Sequence, residues 1–234
     1  MTTILSNFRV AILAALATVH CIPPAKANPI NFDAITIEAG QVYVIGSGPS
    51  FTLPPPSPLV LVVGTITIAP TGTLDITSNA LIAYSTPFST IYDYVVTGFN
   101  GGTWDGFGIN SSTAANDPEG LTALGIINNA EANYTEFQGV SLSLGTETLV
   151  AYTYYGDANL DGDVTAADLA LMGTGSGWYH GDFNYDGAVD AFDYDLYNSS
   201  FDTLHPVPEP TSATLVVGGA VLLFSRRRRI HAAI

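Results

Sequence analysis

DANLDGDVTAAD (157–168) and DFNYDGAVDAFD (182–193) are the stretches from which the rest of this chain can be read. The first places oxygen-bearing side chains at Asp157, Asn159, Asp161, Thr165 and Asp168; the second places them at Asp182, Asn184, Asp186, Asp190 and Asp193. In both these are loop positions 1, 3, 5, 9 and 12, with Gly162 or Gly187 at position 6, and the loops begin 25 residues apart. Calcium takes about six to eight oxygen ligands around a tight turn, with a carbonyl from position 7 and often a water at position 9. Glycine at position 6 permits the sharp bend that turns both ends of the loop toward one ion. One such match can arise by chance; two in register point to two calcium ions.

Neither loop follows a helix. The first continues from the strand-like run ETLVAYTYY (147–155), and the second from GTGSGWYHG (173–181), which is too glycine-rich to be helical. LALMG after Asp168 allows at most a short helix. AFDYDLYNSSF (191–201) predicts about two to three helical turns, with Phe192, Tyr194, Leu196, Tyr197 and Phe201 on its aromatic face. A loop–helix unit of this kind cannot open a groove by reorienting a helix pair, as calcium sensors do. Ions favour folded loops over unfolded ones, so calcium withdrawal is expected to melt 157–201 first and leave the sheet intact.

Upstream, residues 30–85 read as strands. VYVI (42–45), LVLVV (59–63), TITI (65–68), TLDI (73–76) and ALIAY (80–84) are short β-branched or apolar runs punctuated by Gly, Pro, Ser and Asn. The repeated G-T-x-x-I cadence of GTITIAPTGTLDI suggests short stacked strands, as a β-sandwich or a few turns of β-helix. Prolines 54, 55, 56 and 58 predict a stiff surface loop. In 89–114, Trp104 and Phe107 sit among glycines 98, 101, 102, 106 and 108. They read either as an exposed strip that stacks on sugar rings or as the core of a loop-rich β domain. Residues 121–127 and 140–155 add two or three strands. The expected class is therefore mainly β, followed by a small α/loop calcium module.

The chain carries a formal net charge of -15, and all six basic residues lie near its ends. Residues 28–225 contain no Lys or Arg and all 21 acidic residues. Such a body cannot form Lys or Arg salt bridges and offers no positive patch to a nucleic acid. A hydrophobic share of 47% argues against disorder. Residues 1–27 read as a signal peptide: Arg9 precedes an apolar run (10–19), and Ala25-Lys26-Ala27 forms a small-x-small cleavage site. The single cysteine, Cys21, lies in this leader, so the mature chain has no disulfide. At the other end, a linker (204–210) leads to an apolar segment (211–225) and a basic tail (226–234). At about 1.5 Å per residue that segment makes a short transmembrane helix, with Arg226, Arg227, Arg228 and Arg229 holding its end on the cytoplasmic side.

Two family resemblances follow from these motifs. The module at 156–203 resembles a type I dockerin, with two DxNxDGxxxxxD-like repeats. The resemblance implies two calcium ions held by Asp157, Asn159, Asp161, Asp168, Asp182, Asn184, Asp186 and Asp193, with the carbonyls of Asp163 and Ala188. It also implies a cohesin-like partner. Loop positions 10 and 11, where the family carries polar read-out residues, are Ala166-Ala167 and Ala191-Phe192 here, and Gly173 and Gly175 shorten the first helix. The tail resembles the PEP-CTERM sorting signal: Pro208-Glu209-Pro210, a short apolar segment, then arginines. That implies an exosortase-type sorting enzyme and delivery to a bacterial envelope or extracellular matrix. The order of elements in 28–195 is similar to planctomycete surface proteins.

Catalysis is not expected. No HExxH, GxSxG, phosphate-binding glycine loop or identifiable carboxylate pair is present. The expectation is a secreted, calcium-binding, envelope-sorted structural or adhesive protein, built from a β-rich domain (28–155) and the dockerin-like module. The alternative is a module that docks on a cohesin-like protein or a polysaccharide through Trp104, Phe107, Phe192 and Tyr194, with a polysaccharide-processing enzyme behind it.

Overall fold

The computed structural model describes residues 10–12, 29–45 and 59–206. The cleavage site of the leader, the proline loop, Pro208, Glu209, Pro210, the apolar segment 211–225 and the arginines 226–229 lie outside the described residues. Two compact units are separable, Met1–Leu204 and His205–Ile234; the account below concerns the first.

Eleven strands form three sheets among the described residues. They are β1 (Val10–Ile12), β2 (Pro29–Ile37), β3 (Val42–Val44), β4 (Val60–Ile68), β5 (Thr73–Asp75), β6 (Ala80–Ala83), β7 (Gly108–Asn110), β8 (Thr122–Asn128), β9 (Glu136–Phe137), β10 (Val140–Ser141) and β11 (Thr148–Tyr154). Successive strands alternate between two sheets: β1-β3-β5-β7, all parallel, and β2-β4-β6-β11-β8, parallel as far as β6 and antiparallel beyond it. AITI (34–37) pairs with TITI (65–68), and VYV (42–44) with TLD (73–75), at the same offset of 31 residues in both sheets. The G-T-x-x-I units therefore do not stack on each other. They lie on consecutive strands, β4 and β5, in different sheets.

LVLVV and TITI, expected as two strands, are one nine-residue strand, β4. Pairing with β2 is interrupted at Asp33 and Gly64, and glycine is required there because a side chain at 64 would strike the Asp33 carbonyl. Side chains of β4, β6, β8 and β11 are mostly buried, as strands covered on both faces require.

Among the described residues the five α-helices are α1 (Phe88–Phe99), α2 (Ser112–Ala115), α3 (Asn129–Ala132), α4 (Ala166–Leu171) and α5 (Ala191–Leu204). Strand and helix take comparable shares, about 30% and 28%, so the mainly-β expectation is corrected to a mixed α and β architecture. The difference lies chiefly in α1, which occupies a segment that the glycine spacing had suggested was irregular. Its buried positions Ile91, Val95 and Gly98 recur at helical spacing. Gly98 lets the helix backbone meet the Ile109 carbonyl of β7, and Asn100 ends the helix in the left-handed conformation. Among the described residues no helix is long and apolar enough to cross a membrane.

One buried cluster runs from Ile37 through the central strands to Trp178, Phe183, Tyr185 and Tyr197. The boundary expected near residue 155 passes through this core. Gly125 of β8 makes the junction possible: a Cβ there would lie 2.6 Å from Trp178 Nε1 and would collide with Leu160.

Candidate metal site

The first loop leaves β11 at Gly156 and ends in α4; the second follows a one-turn 3-10 helix (Trp178–His180) and ends in α5. Their backbones match position by position. Position 4 is left-handed in both (Leu160, φ 56°; Tyr185, φ 59°), as is position 6 (Gly162, φ 93°; Gly187, φ 88°). Hydrogen bonds match as well. Asp157 Oδ2 accepts Gly162 N–H at 3.0 Å, and Asp182 Oδ2 accepts Gly187 N–H at 3.1 Å. Asn159 and Asn184 accept the N–H of Asp161 and Asp186, each at 2.9 Å. Asp161 and Asp186 then accept the N–H of Asp163 and Ala188, at 3.0 and 2.9 Å.

At position 12 the short Asp side chain bridges back across the loop. Asp168 accepts the N–H groups of Asn159 (3.1 Å) and Thr165 (2.8 Å), completing a capping box that starts α4. Asp193 accepts from Phe183 (2.8 Å), Asn184 (3.3 Å) and Asp190 (2.9 Å). Asp190 Oδ1 in turn accepts the Phe192 N–H at 2.8 Å.

The electrostatics are unbalanced. Asp157, Asp168 and Asp193 are fully buried and Asp182 is 1% exposed, yet residues 28–225 hold no Lys or Arg. Burial pushes the Asp157 carboxyl up to about 7; Asp168 and Asp161 add to this, while the bonds from Thr153 and Gly162 oppose it. Burial, then the charge of Asp193, raises Asp182 to about 6. Burial also raises Asp168. Asp182 Oδ1 is buried without a hydrogen-bond partner. Among the described residues no group of three or more His, Cys, Asp or Glu side chains stands ready to hold a metal ion. The carboxylates are drawn instead onto backbone N–H groups. The donor set, carboxylate and amide oxygens on tight loops with an orphaned oxygen and no Lys or Arg beside them, fits a hard divalent cation such as calcium.

Several supporting residues escaped the reading of the sequence. Thr153 Oγ1 of β11 donates to Asp157 Oδ2, and Trp178 Nε1 donates to the Asp157 carbonyl at 2.7 Å. Tyr134 OH donates to the Asn159 carbonyl at 2.8 Å, and burial raises its pKa to about 12. Tyr197 OH donates to the Thr165 carbonyl at 2.8 Å, and Tyr185 OH to the Leu124 carbonyl of β8. A usable signal was present: Thr153 and Trp178 each stand four residues before the first aspartate of a loop.

The proposed contact residues are not brought together as a set. Trp104 is 1% exposed, and its Nε1 donates to Tyr155 OH at 3.1 Å, so it cannot stack on a sugar and belongs to the core. Phe107 is exposed in the loop before β7, while Phe192 (70% exposed) and Tyr194 lie at the start of α5. Compared with protein-family profiles, curated proteins and solved structures, the chain matches none.

Proposed function

We propose that this chain is a secreted, non-catalytic, calcium-binding protein of a bacterial envelope or extracellular matrix, with a structural or adhesive role. The observation that carries the reading is the pair of matched loops with four buried carboxylates and no Lys or Arg to balance them. Two calcium ions would supply the missing charge. Asp157, Asn159, Asp161, Thr165 and Asp168 would hold one, with the Asp163 carbonyl. Asp182, Asn184, Asp186, Asp190 and Asp193 would hold the other, with the Ala188 carbonyl. A short β-helix in the upstream half is the favoured finer fold, supported by the alternation of strands between two sheets at one shared offset. The leader and the PEP-CTERM-like tail direct the chain through the membrane to an exosortase-type enzyme.

Calorimetric titration of the chelator-stripped chain with calcium chloride tests this. Two ions per chain and a higher melting temperature are expected, and Asp157→Ala or Asp182→Ala should each remove one ion. Absence of uptake overturns the reading. A second reading, docking onto a cohesin-like protein, is favoured by exposed Phe192, Tyr194 and Leu169 at the starts of α5 and α4. Retention of such a partner by the wild-type chain and its loss on Phe192→Ala would support it.

A further inference from the structure

The two loops are cross-braced at equivalent points. Met172 stands four residues past Asp168, and Tyr197 four residues past Asp193. Each packs against the glycine that opens the other loop. A Cβ on Gly181, just before Asp182, would lie 2.8 Å from Met172 Cγ; one on Gly156, just before Asp157, would lie 2.9 Å from Tyr197 Cα. Both glycines are left-handed, at φ 101° and 97°. Further bonds close the crossing: Gly173 N–H donates to the His180 carbonyl at 2.9 Å, and Trp178, which precedes loop 2, donates to the Asp157 carbonyl of loop 1. Tyr197 adds its bond to the Thr165 carbonyl, at loop position 9.

Resting on the calcium reading, we infer that the loops fill as a coupled pair, with Tyr197 and Met172 as the positioning residues that link them. The orphaned Asp182 Oδ1 shows where an ion is needed in loop 2. An ion there fixes Asp193 at the start of α5, and with it Tyr197 one turn on. Tyr197 then fixes Gly156 and Thr165, which flank the ligands of loop 1. In the reverse direction, an ion in loop 1 fixes Asp168 and α4, and Met172 holds the entry to Asp182. Linkage requires the two effects to be equal.

The test titrates the stripped full-length chain with calcium chloride by calorimetry. The wild-type isotherm is expected to be steep, with a Hill coefficient above 1. Asp182→Asn, which empties loop 2, should weaken loop 1 by about tenfold, within the usual range of site-to-site coupling; Asp186→Asn, at an exposed position, replaces it if that variant fails to fold. Tyr197→Phe and Met172→Ala should flatten the wild-type isotherm toward independent sites while affecting the lone site of Asp182→Asn far less. Simple structural damage would weaken the lone site equally and would overturn the proposal. So would a Hill coefficient of 1, or loop 1 affinity unchanged within about twofold in Asp182→Asn. Failure of the wild-type chain to take up calcium overturns the calcium reading together with the coupling, an outcome distinct from uptake at two independent sites.

Discussion

Replacing Tyr185 with alanine asks whether the two-loop segment unfolds on its own or with the sheet. Tyr185 lies in loop 2, but its ring packs among Tyr92 and Phe99 of α1, Trp104 and Trp178, at centroid distances of 5.8, 5.3, 6.3 and 5.6 Å. Truncating a buried aromatic costs about 3–5 kcal/mol. The Leu124 carbonyl also loses its hydroxyl donor, which adds about 1 kcal/mol. For a chain of this size each kcal/mol lowers the midpoint by about 2–4 °C, so Tyr185→Ala should melt roughly 8–24 °C lower. Tyr185→Phe, which loses only the hydroxyl, should cost about 1–2 kcal/mol. Differential scanning calorimetry with near-ultraviolet dichroism, with and without chelator, reads both. The expected outcome is one transition that shifts as a whole, in place of the separate early melting that the loop pattern suggests. Two transitions, with the sheet melting at its wild-type temperature in Tyr185→Ala, would refute the reasoning.

Three further outcomes are expected. Gly125→Ala forces a methyl against Leu160 and Trp178 and should cost about 1–3 kcal/mol, read as a lower melting temperature with calcium present. In chelator, the folded chain keeps a proton on Asp157 up to about pH 7 that the unfolded chain loses near its ordinary value. Stability should therefore fall as pH rises through that window, and saturating calcium should abolish or reverse the slope; a chelated chain whose melting temperature climbs steadily from pH 4 to pH 7 would count against it. Glu147 is the opposite case. Burial would raise its pKa, but bonds from Asn129, Leu144 and Ser143 outweigh this and hold it at about 2. Its contribution is present above the ordinary glutamate value and lost as pH falls toward about 2, so Glu147→Gln should flatten acid unfolding in that range, as followed by dichroism.

What the sequence disclosed depended on how local the signal was. Each candidate loop is a twelve-residue pattern, and its tight turn around the glycine at position 6 could be read from spacing alone. Strands β3, β5, β6, β8 and β11 were likewise readable from apolar runs. Helix α1 was obscured because Gly98 and Gly106 look like breakers, whereas each gives another piece of backbone room to approach. Trp104 remained ambiguous for the same reason: glycines around an aromatic ring mark either an exposed strip or a close-packed core. The braces from Tyr134 and Tyr197 were hidden because they reach the site through tertiary contacts.

The bond from Tyr185 to Leu124 has a consequence for solubility. β8 is the outermost strand of the five-stranded sheet, so its outward carbonyls would otherwise be open to any extended segment of another chain. Tyr185 of the second loop covers one of them, and Trp178 and Leu160, from the segment before it and from the first loop, lie against Gly125 beside it. On the calcium reading, a loop whose shape an ion would hold thus doubles as a seal on a sticky edge. A chain stripped of calcium at high concentration should self-associate through that edge as the loop and the sheet melt together.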